Sequence, residues 1–473
     1  MSKSPTKLAI ILAEFAANLQ AKDLPAAVIA DTKLRVLDTL GVMLAGASTA
    51  TGDSVRAAAA RLGSGAQASI VGALETSTAS LAALVNGTLA HAMDFDDTDN
   101  ASVMHPSAVS VAAALAVAEA SDASGMALLL GVALGNEAGC RLGLVAPGAF
   151  HDAGLHPTSV LGTPAAAIVA GRLGGLDAQQ IACAIGISAS QGAGVLEAYS
   201  DGTWSKTLHP GWAAHAGIVA AELAACGFTG PASGLDGRYG LFPTHVQLQD
   251  YNFNYAIAGA GLGNIWHALE TAFKLYPCAH SIHVFVEMAL ALRRAHGFKP
   301  SDITAIMLRV PAAFAGQIVE PRAAKLAPRT TTHARASALY AVAAALTDGA
   351  LGMAHYTDAA IARPDIRRLC KRVQHTVKAM PPGPIQFSGG IDITLKDGRV
   401  LSQWLDEADG TGARRLAAAQ VEAKFRTTAA TRLPLKQVEQ VIALCRTLDQ
   451  MPSLAPLIAA LQPPPRARRK PAL

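Results

Sequence analysis

Aromatic side chains are scarce: phenylalanine, tryptophan and tyrosine together supply 5% of the 473 residues. The core must therefore be filled by Ala, Leu, Val and Ile, and an aromatic-lined pocket is not expected. Charge is also scarce, at 16% Asp, Glu, Lys and Arg, with a net charge of +4. Part of that excess lies in the last residues, so no basic face suggests a nucleic-acid partner. The six cysteines (Cys140, Cys183, Cys226, Cys278, Cys370, Cys445) show no short pairing. They read as buried reduced thiols, neither a disulfide framework nor a zinc site. No uncharged apolar stretch reaches the length of a membrane span, so no membrane partner is expected.

What is present is hydrophobic material, 51% of the chain, in a length that exceeds one ordinary core and predicts two domains. The opening "MSKSPTKLAIILAEFAANLQA" has the lysines and apolar run of a signal peptide. Glu14 interrupts that run and no clean cleavage site follows, so it reads as an amphipathic first helix in a cytoplasmic protein. Up to about residue 300, Ala/Leu/Val segments of helical length are punctuated by Gly and Pro, for example Ser80–Met93, Ser107–Ala120 and Thr158–Leu173. Alanine is the best helix former, so a dense helical bundle is expected. No fixed repeat indicates a solenoid.

The texture changes after Gly297. "ITAIMLRV" is strand-like. "IDITLKDGRVLSQWL" reads as a hairpin turning at Asp397-Gly398, and "KRVQHTVKAM" adds a candidate strand. Thr332–Leu346 and Pro364–Leu369 read as helices, and helices return after Gly410, as in Leu435–Leu448. The expected fold is mainly α: an all-helical domain over residues 1–267, a smaller α+β domain over 268–405, and helices over 406–462 returning to the first domain. The Pro-rich basic tail 463–473 is expected to be frayed.

Ionisable residues gather in "HAMDFDDTDNASVMHPSA", residues 91–108. On a continuing helix, His91, Asp94 and Thr98 share a face, and Asp96 and Asp97 point elsewhere, as solvated acids at a helix end. "DDTDN" also has the look of a magnesium-binding aspartate box of helical prenyl-diphosphate enzymes. That chemistry needs a second metal motif and an aromatic pocket, and neither is found. Three further islands put His or Lys at the mouth of an Ala-rich helix: His156 in "LHPTSV", Lys206 and His209 in "GTWSKTLHPGW", and Lys274, His280 and His283 in "FKLYPCAHSIH". Helix N-termini favour anions, so together these islands suggest a polycarboxylate pocket. His151, His245, His296, His355 and His375 read as ordinary structural or surface histidines.

These islands resemble the MmgE/PrpD family, which includes 2-methylcitrate dehydratases, cis-aconitate decarboxylases and an iminodisuccinate epimerase. "NGTLAHAMDFDDT…HPSA", "HPTSVLGTPAAA", "DGTWSKTLHPGWAAHAG", "GFTGP", "FKLYPCAHSIH" and "ARASALYAVAAALTDG" carry the resemblance. It implies a helical domain with a smaller α+β lid, a homodimer, an active site between the two, and no cofactor or metal. It implies His105, His280, Lys206 and Asp94 as catalytic residues and Thr98, His156 and Lys274 as substrate-binding residues; Tyr340 lies in a family motif. The segment between Thr98 and His105, and Ala336 in place of an aromatic, depart from family patterns and bear on the substrate.

The expected reaction handles a proton on a carbon next to a carboxylate of a small di- or tricarboxylate. His105 and His280 are the acid/base pair. Lys206, Lys274 and His156 hold carboxylates and developing charge, and Asp94 orients them. Dehydration comes first among the reactions, with decarboxylation and epimerisation as alternatives. A magnesium-dependent prenyl-diphosphate enzyme and an inactive helical scaffold are the remote ones.

Overall fold

The computed structural model describes residues 7–248, 251–379 and 387–464. The tail expected to be frayed lies, from residue 465 onward, outside them. Among the described residues the chain is mainly helical, with one four-stranded sheet and a two-residue ladder pairing Ala68–Ser69 with Thr76–Ser77.

The first half is built from α1 (Leu8–Asn18), α2 (Ala26–Gly46), α3 (Ala79–His91), α4 (Pro106–Ala120), α5 (Gly125–Val145), α6 (Gly162–Leu173), α7 (Ala178–Ser188) and α8 (Ser205–Ala225). Alanine's small side chain lets these helices pack closely. One close approach pairs α3 with α8, where a Cβ on Gly87 would stand 2.7 Å from the Gly211 backbone. Only glycine fits there, and the contact brings His91 near Lys206. By length and composition α5 is apolar enough to cross a membrane, but here its window is almost wholly buried within the fold. It also carries a buried ion pair, Glu137–Arg141, whose guanidinium donates to the carbonyls of Ile257, Ala260 and Ile265.

α9 (His283–His296) leads into β1 (Ile303–Pro311), then α10 (Ala338–Asp348), β2 (Val373–Lys378), β3 (Gly389–Leu395) and β4 (Val400–Leu405). The sheet order is β2-β1-β3-β4. β1 and β2 run parallel and the other pairs antiparallel. The β3–β4 hairpin turns at Gly398, whose φ of +87° suits glycine. These strands and α9 and α10 share one hydrophobic cluster, residues 278–408. A larger cluster joins α2–α4 with α11 (Ala418–Ala429) and α12 (Leu435–Arg446).

Thr332–Leu346, expected as one helix, is broken. A short turn, Thr331–Arg335, ends at Ala336, and the Ser337 hydroxyl then accepts from the Tyr340 N–H at 3.1 Å to start α10. A serine N-cap outcompetes continuation of the helix. The Tyr340 hydroxyl donates to the His355 carbonyl, and Tyr340 does not line the cavity described below.

Candidate active site

α3 ends at His91, and the chain reaches α4 through an irregular loop. The expected helical face over His91, Asp94 and Thr98 does not form: Asp94 adopts φ +50° and Thr98 pairs with Ala272. Asp96 and Asp97 are not solvated, being 0% and 1% exposed. Asp97 accepts from Arg35 at 3.4 Å and from the Ser107 hydroxyl at 2.5 Å. Lys424 pairs with Asp38 and donates to the Phe95 carbonyl at 2.7 Å. Asp96 and Asp97 thus both face the interior, and the solvated helix end expected for them is not formed.

Two of the three "His-Pro" steps begin helices; the third, His209-Pro210, lies inside α8. His105 caps α4 and His156 caps the turn Pro157–Val160, each with proline at the first helical position. The caps aim both imidazoles into a cavity of about 470 Å³, which Asp94, Thr98, Lys206 and His280 also line. Six of the seven residues expected at the site thus meet there. Lys274 does not: it is 0% exposed, ion-pairs with Asp94 and donates to the Asp94 carbonyl at 3.0 Å. The side chain expected to meet substrate is thus engaged with Asp94 in this structure. His151, read from sequence as ordinary, lines the cavity. So do Tyr199 and Gln317, joined by a 2.8 Å hydrogen bond from the Gln317 amide to the Tyr199 hydroxyl. No sequence signal marks these three.

The His105 Nδ1 lies 2.7 Å from the Asp97 carbonyl and 3.2 Å from Thr98 Oγ1. A carbonyl only accepts, so Nδ1 carries the proton and Nε2 is left as an acceptor. His280 bonds through Nδ1 to Asn100 Oδ1 at 2.8 Å, and its buried Nε2 has no partner among the described residues. Thr98, expected at the substrate, stands against His105 Nδ1. His156 and His209 share a proton between their Nδ1 atoms at 3.0 Å. Lys206 Nζ lies 2.7 Å from His91 Nε2 and 3.9 Å from Asp94.

Burial, then Lys206 or Lys274, drives these imidazoles toward the neutral form. His280 falls to about 3, His209 to about 3 and His151 to about 4. His156 lies well below the usual value, and so does His105, where Asp96 opposes the shift without reversing it. Burial would raise Asp94, but Lys206 and Lys274 outweigh it and hold this carboxylate ionised. Burial pushes Asp97 up to about 6 despite Arg35. The result is one cavity-facing ammonium, paired with the Asp94 carboxylate, among neutral imidazoles. Nitrogens of His91, His105 and His156 lie within 4.8 Å of one another, close enough to hold a metal ion. The Lys206 ammonium already sits against the His91 nitrogen of that set.

Residues 11–254 match the MmgE/PrpD N-terminal domain and residues 276–450 the MmgE/PrpD C-terminal domain. The human cis-aconitate decarboxylase is 31% identical over 407 residues, covering 83% of this chain and 82% of its own length. The mouse cis-aconitate decarboxylase is 29% identical, over 94% and 92%. A cis-aconitate decarboxylase of Aspergillus terreus (strain NIH 2624 / FGSC A1156) is 24% identical, over 96% and 95%. With both domains matched over most of its length, this chain belongs to the MmgE/PrpD family.

Proposed function

We propose that this protein is a carboxy-lyase acting on cis-aconitate or a closely similar unsaturated tricarboxylate. The observation that carries this reading is the Lys206 ammonium, set beside the ionised Asp94, in a cavity whose imidazoles His105, His156 and His280 are neutral. Dehydration, the first expectation from sequence, yields to decarboxylation because the relatives spanning most of the chain are named for it.

In this reaction the bond to one carboxylate breaks and CO₂ leaves. The bonding pair forms a new C=C, and the former alkene pair moves to the carbon beside a neighbouring carboxylate. That carbon takes one proton. Lys206 and His156 hold carboxylates and the dienolate charge, and His105 or His280, protonated at Nε2 as the tricarboxylate binds, delivers the proton. Asp94, backed by Lys274, holds Lys206 toward the cavity. No metal is required, because a fixed ammonium stands where a metal's charge would act. We further propose a homodimer, and a lid role for the sheet-bearing segment that supplies His280 and Gln317.

Proton NMR of EDTA-treated protein in D₂O, with citrate, 2-methylcitrate, cis-aconitate and iminodisuccinate, tests the reading. The expected result is loss of the cis-aconitate alkene signal with a new methylene product deuterated at one carbon. His105→Ala and Lys206→Ala should each lower that rate by about 10²–10⁴-fold with folding intact. Turnover of 2-methylcitrate or iminodisuccinate alone would replace decarboxylation with dehydration or epimerisation. Activity appearing only with magnesium and a prenyl diphosphate would overturn the reading altogether.

A further inference from the structure

His91 is 3% exposed and does not line the cavity, yet both its ring nitrogens are engaged. Nδ1 lies 2.9 and 3.0 Å from the two Asp96 oxygens, and Nε2 lies 2.7 Å from Lys206 Nζ. Burial of Asp96 would favour its protonated form, but the hydrogen bond from the His91 ring and the nearby Lys274 favour the ionised carboxylate. An ionised carboxylate can only accept, so Nδ1 carries the proton. Nε2 of that neutral ring is then an acceptor, and an ammonium can only donate. The chain Asp96···H–Nδ1, Nε2···H–Nζ thus has one consistent assignment.

The groups around His91 agree with it. Asp96 and Asp94 face it from the loop, and Lys206 from α8. The rings of His105 and His156 stand with centroids 4.6 and 5.6 Å away. Burial, opposed by Asp96 and reinforced by Lys206, shifts His91 toward the neutral form. Protonating Nε2 would set two cations 2.7 Å apart.

Lysine has a flexible four-carbon stem and three equivalent donors, so its charge is aimed only if something holds it. We infer that His91 is the positioning residue of Lys206, and that Asp96 serves to lock the His91 tautomer that can accept from it. One ammonium N–H is spent on His91, and the other two are left for Asp94 and the cavity. The arrangement parallels metal sites, in which a carboxylate fixes the tautomer of a ligating histidine, with an ammonium in the metal's place. The inference deepens the proposed function, since it takes Lys206 as the cation that meets substrate carboxylate.

The test compares His91→Gln, which keeps an acceptor oxygen, with His91→Leu, which does not, and with Asp96→Asn. With cis-aconitate as substrate, His91→Leu should lose about 10²-fold in kcat, the scale of a misplaced catalytic group. KM should rise no more than several-fold, because the charge remains beside the cavity. His91→Gln should stay within about tenfold of the parent. Equal kcat for His91→Leu and the parent overturns the inference, and so does equal damage in the Gln and Leu variants. Independently of turnover, ¹⁵N-histidine NMR of the unmodified protein should show His91 with Nδ1 protonated and Nε2 bare from pH 6 to 8. Asp96→Asn should mix the tautomers. A protonated Nε2 in the unmodified protein overturns the inference even if cis-aconitate proves to be the substrate. A bare Nε2 upholds it even if cis-aconitate does not.

Discussion

Asp94 and Lys274 form an ion pair behind the cavity wall, with Asp94 in a left-handed backbone conformation that L-residues seldom adopt. Lys274 donates to both the carboxylate and the carbonyl of Asp94. It thereby holds the strained turn and points the carboxylate at Lys206, 3.9 Å away.

Lys274→Met removes that support without filling the site with a new charge. Stability should fall by about 2–3 kcal/mol, below the usual cost of splitting a fully buried pair because Asp94 also reaches the cavity. Lys206 should then turn onto Asp94, raising KM several-fold. Urea denaturation and steady-state kinetics check both; an unchanged KM would mean that Lys274 does not act through Lys206.

Substrate binding should take up protons. Free of ligand, His105, His156 and His280 are held neutral, chiefly by burial. A bound tricarboxylate favours their charged forms. Calorimetry of citrate binding at pH 7 in buffers of different ionisation enthalpy should show net uptake of about one proton or more. Zero uptake or release contradicts the assigned acid.

Stability should fall as pH drops below about 6.5, the ordinary histidine value. Between the depressed native values (about 3 for His209 and His280, about 4 for His151) and that value, the unfolded chain binds protons that the native histidines refuse. Each such group contributes a slope of about 1.4 kcal/mol per pH unit, with stability rising with pH. Asp97, raised to about 6, opposes with one proton between its unfolded and native values. The net slope is therefore positive, and urea midpoints from pH 7 to 5 should fall steeply. A flat profile would show that these imidazoles are solvated.

Trp204, Leu208 and Trp212 recur every four residues along the start of α8, each 39–46% exposed. We propose that a second copy of the chain covers this stripe. Trp212→Glu should shift the protein from dimer to monomer in sedimentation analysis, with the far-UV spectrum unchanged. A monomeric parent protein, or a dimeric variant, rules the stripe out as the interface.

The motifs led to Asp94, Thr98, His105, His156, Lys206 and His280, and the fold gathers all six in one cavity. His105 and His156 were legible because the proline after each starts a helix and places the imidazole at its mouth, and the other four because they lie in short motifs. Lys274 was legible as important but not as buried, because a lysine in a motif carries no sign of which side of a carboxylate it occupies. The His91–Asp96 pair was hidden for a related reason. Helical spacing pairs His91 with Asp94, but the helix stops at His91, and the turn at Asp94 sends Asp96 back under the ring instead.

By itself, then, the sequence determined the mainly helical class, the hairpin at Asp397-Gly398, the family and the types of side chain available for chemistry. These depend on local periodicity, on turn residues and on short motifs, all of which lie within a few residues of one another. Tertiary structure decided which charges are paired and which are free. Asp96, Asp97 and Lys274 turn inward while Lys206 faces the cavity. Those outcomes depend on burial and on partners as distant as Arg35 and Lys424, whose separation along the chain leaves no local trace.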